Sequence, residues 1–397
     1  MKVTKAMLKV IAPALFVLAI ALLAMTGSSP VTAGSDDLPR PDALTVHEWG
    51  TFTTVAGPDG QAADWLPLSG PNDLPCFVEH FGNNALSKYI PELGARLTYA
   101  EAATRLKAKV RMETPVLYFY SPREENLNVK VDFPSGLISE WYPHADVGQM
   151  ALQENTLTTK GAAGSHLEWN NVRVKPGSTP KFASDGRVSH YYAARQTDAL
   201  PVRVGDKDEK FLFYRGVGNF PVPLSAELTS SGKISVANTG GDAIPAIVLF
   251  ENRGGKIGYR VQREFRGQVT LDRPKLDGDV ALLRQELEKT LTESGLYAKE
   301  AHAMVETWRD SWFEERTRVF YMLPKRVVDQ ILPLNVKPAP VHTVRSFVGR
   351  MEVITPDMLK DPLALKKYGR FLGNQLPQAL ADSTYQSFLN QVSTACK

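Results

Sequence analysis

The alternation of apolar and polar residues changes period along the chain. Across residues 114–271 the pattern repeats every second residue, most clearly where Leu127, Val129, Val131 and Phe133 alternate with Asn128, Lys130 and Asp132. That spacing predicts a strand with one wet face. Pro134-Ser135-Gly136 then supplies turn chemistry, so residues 137–142 are expected to return antiparallel as a hairpin. A second hairpin is predicted where residues 246–250 precede Arg253-Gly254-Gly255 and the alternating Ile257, Tyr259 and Val261. Val172 with Val174, residues 211–214, and Ile234 with Val236 add short strands bounded by turn residues. Strands at this spacing point to an antiparallel sandwich. Pro115, Pro143, Pro221 and Pro223 are expected at strand ends or edges, where a missing N–H does no harm.

Beyond Asp279 the period lengthens. Leu283, Leu287 and Leu291 recur at helical spacing, Gly295 interrupts, and Ala301, Val305, Trp308 and Trp312 resume it, which predicts two amphipathic helices. Residues 319–323 and 344–354 read as strands, and residues 327–332 as a short helix. Thr355-Pro356-Asp357 resembles a helix start, and residues 363–396 read as a mostly helical tail. These elements predict an α+β chain, an antiparallel β-sandwich followed by a mixed, largely helical C-terminal part. The expected segments are a leader at 1–33, an N-terminal strand with covering loops at 34–113, the sandwich at 114–275, and the helical or mixed part at 276–397, packed on the sheet.

The leader is read from Lys2, Lys5 and Lys9 ahead of an apolar run at residues 10–25, followed by small and polar residues. Val31-Thr32-Ala33 fits a cleavage site, so the protein is expected to be exported to the periplasm or beyond, with its signal peptide removed near Ala33. Membrane contact is expected only through this segment, if it stays uncleaved. Removing its three lysines leaves 43 basic residues against 43 acidic ones. A formally neutral chain gains little from counterion release, so nucleic acid is not an expected partner. In an oxidising compartment the two cysteines, Cys76 and Cys396, could form a disulfide.

Candidate chemistry gathers in few places. In Val46-His47-Glu48-Trp49-Gly50-Thr51-Phe52-Thr53, an extended chain sends His47 and Trp49 to one face and Glu48 to the other. A partner for His47 would have to come from elsewhere, such as Glu140-Trp141-Tyr142-Pro143-His144-Ala145-Asp146. Three of the six tryptophans follow glutamate directly: Glu48-Trp49, Glu140-Trp141 and Glu168-Trp169. Indoles beside carboxylates suit a sugar cleft; the plainer reading packs each Trp inward and turns each Glu to water. His302, Glu306 and Asp310 share a helix face without HExxH, and read as an exposed row. Arg345 and Arg350, five apart on a strand, fall on opposite faces. GxSxG, GxxxxGK, a strand-to-helix GxGxxG, CxxCH and the EF-hand loop are all missing, and no metal or cofactor is expected.

The VHEWGTFT segment at 46–53 and the EAHAMVETWRDSWF segment at 300–313, with Leu332-Pro333-Leu334 and Val348-Gly349-Arg350, resemble a family of secreted proteins of unknown function from environmental bacteria. The resemblance implies export and one continuous architecture, and transfers no activity. The expectation is a non-catalytic envelope or extracellular protein that binds a polymer or another protein. The alternative is an extracellular hydrolase of carbohydrate or peptide, with or without metal assistance, with His47, Glu48 and Glu140 converging in one cleft.

Overall fold

The computed structural model describes residues 42–57, 59–68, 74–81, 106–148, 152–153, 156–157 and 164–355. Its early strands are β1 (Thr45–Val55), β2 (Glu79–His80), β3 (Val110–Tyr120), β4 (Glu125–Phe133), β5 (Gly136–Tyr142), β6 (Asp146–Gly148), β7 (Leu152–Gln153), β8 (Thr156–Leu157) and β9 (Ser165–Val174). A 3-10 helix, His190–Arg195, precedes β10 (Val202–Val204), β11 (Lys207–Glu209), β12 (Leu212–Gly218), β13 (Leu224–Leu228), β14 (Ile234–Asn238), β15 (Ile244–Arg253), β16 (Lys256–Phe265) and β17 (Gln268–Leu271). Helices α1 (Val280–Glu293) and α2 (Ala298–Thr307) follow, then β18 (Arg316–Met322), α3 (Lys325–Ile331), β19 (Leu334–Lys337) and β20 (His342–Glu352).

Two large sheets organise these elements. Nine strands form one in the order β16-β15-β18-β20-β1-β3-β12-β5-β2, and β11-β10-β9-β4-β19 form the other, with β6 also paired to β9. A core of Val46, Phe52, Leu117 and Tyr214 from the first sheet and Val129, Phe133, Leu167 and Trp169 from the second lies between them. The opposite face of the nine-stranded sheet is covered by α1, α2 and the turn after α2, through Leu283, Leu287, Leu291, Met304, Val305 and Trp312 against Trp49, Tyr118, Phe250 and Phe320. Strand β1 sits near the middle of that sheet, parallel to β20 and antiparallel to β3. Covered on both faces, all eleven of its residues are buried.

The described residues are mostly β, 48% strand against 14% helix, which overturns the α+β reading with a largely helical C-terminal part. Helices α1 and α2 form where the leucine and alanine spacing predicted them, with Asp279 capping α1 by accepting from the Ala281 N–H. They are a cover, not a separate layer. Strands β18 and β20 return to the nine-stranded sheet beside β15 and β1, and β19 joins the second sheet, so the boundary expected near residue 275 falls inside one continuous sheet. The parallel β1–β20 pair also departs from a purely antiparallel design. The leader, the helix start at Pro356 and the tail at 363–396 lie outside the described residues.

Two local expectations change as well. The turn after β4 does not close a hairpin: β4 pairs with β9 and β19, whereas β5 pairs with β12 and β2. Pro134-Ser135-Gly136 therefore carries the chain from one sheet to the other, and a Cβ at Gly136 would overlap the Phe133 ring. Pro115 is not at an edge but inside β3, between two neighbours. Register shifts opposite it, between Trp49 and Thr51 and between Phe213 and Gly216, accommodate its missing N–H, with Thr114 at φ 51° completing the irregularity. The β15–β16 hairpin is as expected, with Gly254 and Gly255 at φ 58° and 77° turning Arg253 onto Lys256.

Candidate functional site

The expected site residues separate into two groups. His47, Glu48 and Trp49 are buried in the middle of the nine-stranded sheet. His47 faces the helical cover, where its Nδ1 donates to Glu300 at 2.7 Å; the same carboxylate accepts from the Tyr120 hydroxyl and the Tyr297 backbone N–H, each at 2.8 Å. Glu48 points the other way, into the core between the sheets, and accepts from Tyr214 and from Arg345 Nε, both at 2.5 Å. Arg345 stands directly opposite Glu48 on β20 and also donates to Asp329 on α3 at 3.0 Å. Each charge in this segment is thus closed on an internal partner, as a buried charge requires.

Glu140, on β5, is also buried and accepts from Ser139. Three inter-strand steps separate β5 from β1, about 14 Å at the usual strand spacing. His47, Glu48 and Glu140 therefore form no shared catalytic cleft. The helical row is dispersed too: His302 pairs with Glu288, Glu306 with Arg284 and Arg309, and Asp310 with His190. Arg345 and Arg350 do take opposite faces, Arg350 pairing with Glu314 and Glu352. Cys396 lies outside the described residues, and with it the bridge that it could form with Cys76.

The second group meets at the surface. His144, Asp146 and Glu168 converge where the end of β5 passes β6, β9 and the β10–β11 turn, while Trp141 and Trp169 are buried behind them. A half-open groove of about 560 Å³ lies there, lined by residues that include Phe77, Glu79, Tyr142, His144, Asp146, Glu168, Asn170, Asp206 and Lys207. The indoles of Trp141 and Trp169 are buried in the core and do not line it. Trp169 Nε1 donates to the Pro143 carbonyl at 2.9 Å, tying the 143–146 segment to β9, and Trp141 Nε1 donates to Glu79 at 3.0 Å. Of the three Glu-Trp pairs, only Glu168-Trp169 has its carboxylate partly exposed above a buried ring; Glu48 and Glu140 are buried with their tryptophans.

Aromatic rings make one wall. Phe77 and Tyr142 have centroids 4.7 Å apart. Behind Phe77 the Arg195 guanidinium lies among the rings of Phe77, Phe182, Tyr191 and Tyr192, and pairs with the buried Glu209, which stiffens that wall. Burial, reinforced by Glu209, pushes the Tyr142 phenol up to about 12, so it is a neutral donor at pH 7. Its hydroxyl is buried and has no hydrogen-bond partner among the described residues.

Carboxylates make the other wall. His144 Nδ1 donates to Glu79 at 2.9 Å, and Lys207 pairs with Asp206 at 2.8 Å. Asp146 stands directly opposite Glu168 in the register of β6 on β9, which places their Cβ atoms on one face about 5 Å apart. Among the described residues Asp146 accepts only from the neutral Asn170 amide, at 3.2 Å. Neither carboxylate has an ion-pair partner among the described residues; Lys130, across β9 from Glu168, is engaged with Asp132 at 2.9 Å. No set of three or more His, Cys, Asp or Glu suited to a metal occurs among the described residues.

Of the residues singled out in the sequence, His144, Asp146 and Glu168 line the groove and Trp141 and Trp169 do not; Phe77, Glu79, Asn170, Asp206 and Lys207 were missed as lining. Asn170 was within reach, being two residues after Glu168 on an alternating strand and so on the same face. The others arrive through pairings of β2 with β5 and of β10 with β9, which leave no local mark.

Acid should weaken the fold through a different set of groups. The hydrogen bond from His190 holds the Asp310 carboxyl below its ordinary value of 3.8. Partial burial raises Asp329, but hydrogen bonds from Lys325 and Arg345 outweigh it and leave its pKa lowered. Depressed carboxylates contribute stability that is complete above the unfolded-state value and lost as pH falls through the folded one. The urea midpoint should therefore drop below about pH 4, and Asp310→Asn should lower the midpoint at pH 7 while flattening that drop; equal acid sensitivity in the variant and the parent would refute the assignment.

No family model matches the chain, and no curated protein matches it at a significant level.

Proposed function

We propose that this protein is a non-catalytic binding protein of the cell envelope or extracellular space, and that it holds a segment of polysaccharide in the groove beside Trp141 and Trp169. The observation that carries this reading is the composition of the groove: Phe77 and Tyr142 on one side, and Asp146, Glu168 and Asn170 on the other. Sugar C–H faces stack on aromatic rings, and their hydroxyls donate to carboxylates. The leader expected at residues 1–33 and the likeness to secreted proteins supply the compartment. The test is co-sedimentation of the purified protein with insoluble polysaccharides and with envelope fractions. Retention on at least one is expected, and Phe77→Ala should weaken it roughly three- to tenfold, the worth of one aromatic contact. Absence of retention on every polymer and fraction would overturn the reading.

A further inference from the structure

The two carboxylates at the centre of the groove are in an arrangement that costs free energy when the groove is empty. Like charges directly opposite each other on paired strands repel, and here neither Asp146 nor Glu168 is joined to a cation among the described residues. Of the groove's other carboxylates, Asp206 pairs with Lys207, and Glu79 accepts hydrogen bonds from His144 and Trp141. A second, independent feature is the buried Tyr142, which lines the same groove with its hydroxyl unpartnered among the described residues. One face thus offers two acceptors short of a positive charge, and the other offers an aromatic surface and a donor short of an acceptor.

Resting on the binding reading above, we propose that the polysaccharide taken by this groove carries free primary amines: an ammonium group on a sugar ring seats between Asp146 and Glu168 while the ring lies against Phe77 and Tyr142. An ammonium provides three donors and one positive charge, which meets both carboxylates at once. The Tyr142 hydroxyl finds its acceptor in a ring or hydroxyl oxygen of the same sugar. A neutral sugar fills the aromatic side and leaves the carboxylate repulsion in place. An acidic sugar adds to it.

The test titrates the full chain with glucosamine oligomers and with N-acetylglucosamine oligomers of equal length, by calorimetry at a pH where the amines are protonated. The deacetylated oligomer is expected to bind about tenfold more tightly, an advantage that shrinks as salt rises. Asp146→Asn with Glu168→Gln should erase the difference between the two ligands. The same variant should melt at or above the parent temperature, because it relieves a repulsion. Tyr142→Phe should weaken both oligomers alike without lowering the melting temperature.

Equal affinity for both oligomers, or a preference that survives the double substitution, would overturn the proposal. So would lysine oligomers binding as tightly as the amino sugar, stoichiometric calcium uptake abolished by the double substitution, or a lowered melting temperature in that variant, which would make the pair structural. Retention on a neutral polysaccharide without any amine preference would remove this inference alone. Failure to bind any polymer would remove the reading beneath it.

Discussion

Arg345→Met is expected to destabilise the protein by about 3–5 kcal/mol, the cost of leaving a buried carboxylate without its cation. Glu48 is wholly buried between the sheets, and after the substitution only the Tyr214 hydroxyl would still donate to it. Asp329 on α3 would lose a donor as well, loosening the contact between that helix and β20. The loss is a large share of the roughly 5–15 kcal/mol by which domains are stable, and should appear as a fall in urea midpoint at unchanged slope. Glu48→Gln combined with Arg345→Met should be milder than the sum of the single changes, because it removes both charges together. A single variant that unfolds at the parent midpoint would show that the pair contributes nothing. Additive losses in the double variant would show that the two residues act independently.

That expectation reverses the meaning of the most chemical-looking stretch of the sequence. His47 and Glu48 stand in the stretch of sequence densest in candidate chemistry. The alternation was read correctly, for the two side chains do leave β1 in opposite directions. What a single strand does not carry is the identity of the layer on each side. Both faces of β1 are covered, and each polar residue is completed by a group distant in sequence, Glu300 for His47 and Arg345 for Glu48. Two covered faces demand internal partners, and those partners come from the segment beyond residue 280.

Where a feature rests on neighbouring residues, it was legible. The paired glycines after Arg253 set the β15–β16 turn by their backbone freedom alone, and the four-residue spacing of leucines set α1. The turn after β4 shows the limit: the same turn residues serve a hairpin or a crossing between sheets, and the choice is made by the strands waiting on either side. The helical reading of the C-terminal part failed for a related reason. The strands at 319–323 and 344–354 were visible as strands, yet their membership in the nine-stranded sheet depends on pairing with β15 and β1, far earlier in the chain. The groove was half legible on the same principle. Residues 144–146 stood out as a dense polar run beside Trp141, whereas Asp206 and Lys207 reach the site only because β10 lies against β9.

Trp169→Ala should join fold and groove in one measurement. The indole is fully buried in the core between the sheets, edge-on to Tyr214 at 6.4 Å, and its Nε1 holds the Pro143 carbonyl. Truncation of a buried tryptophan costs about 3–5 kcal/mol in lost burial and cavity. It also removes the indole tie between Pro143 and β9, leaving Asp146 held opposite Glu168 by the β6–β9 pairing alone. Trp169→Phe keeps most of the buried surface and loses only the hydrogen bond, a cost of about 1–3 kcal/mol for the stranded carbonyl. Urea unfolding of the two variants should therefore rank parent, Phe and Ala in that order. Polymer retention by the folded Phe variant should already fall, because the contact it lacks adds to the β6–β9 pairing in positioning the carboxylate wall. Retention by the Phe variant equal to that of the parent would mean that the groove is held by the strand pairing alone.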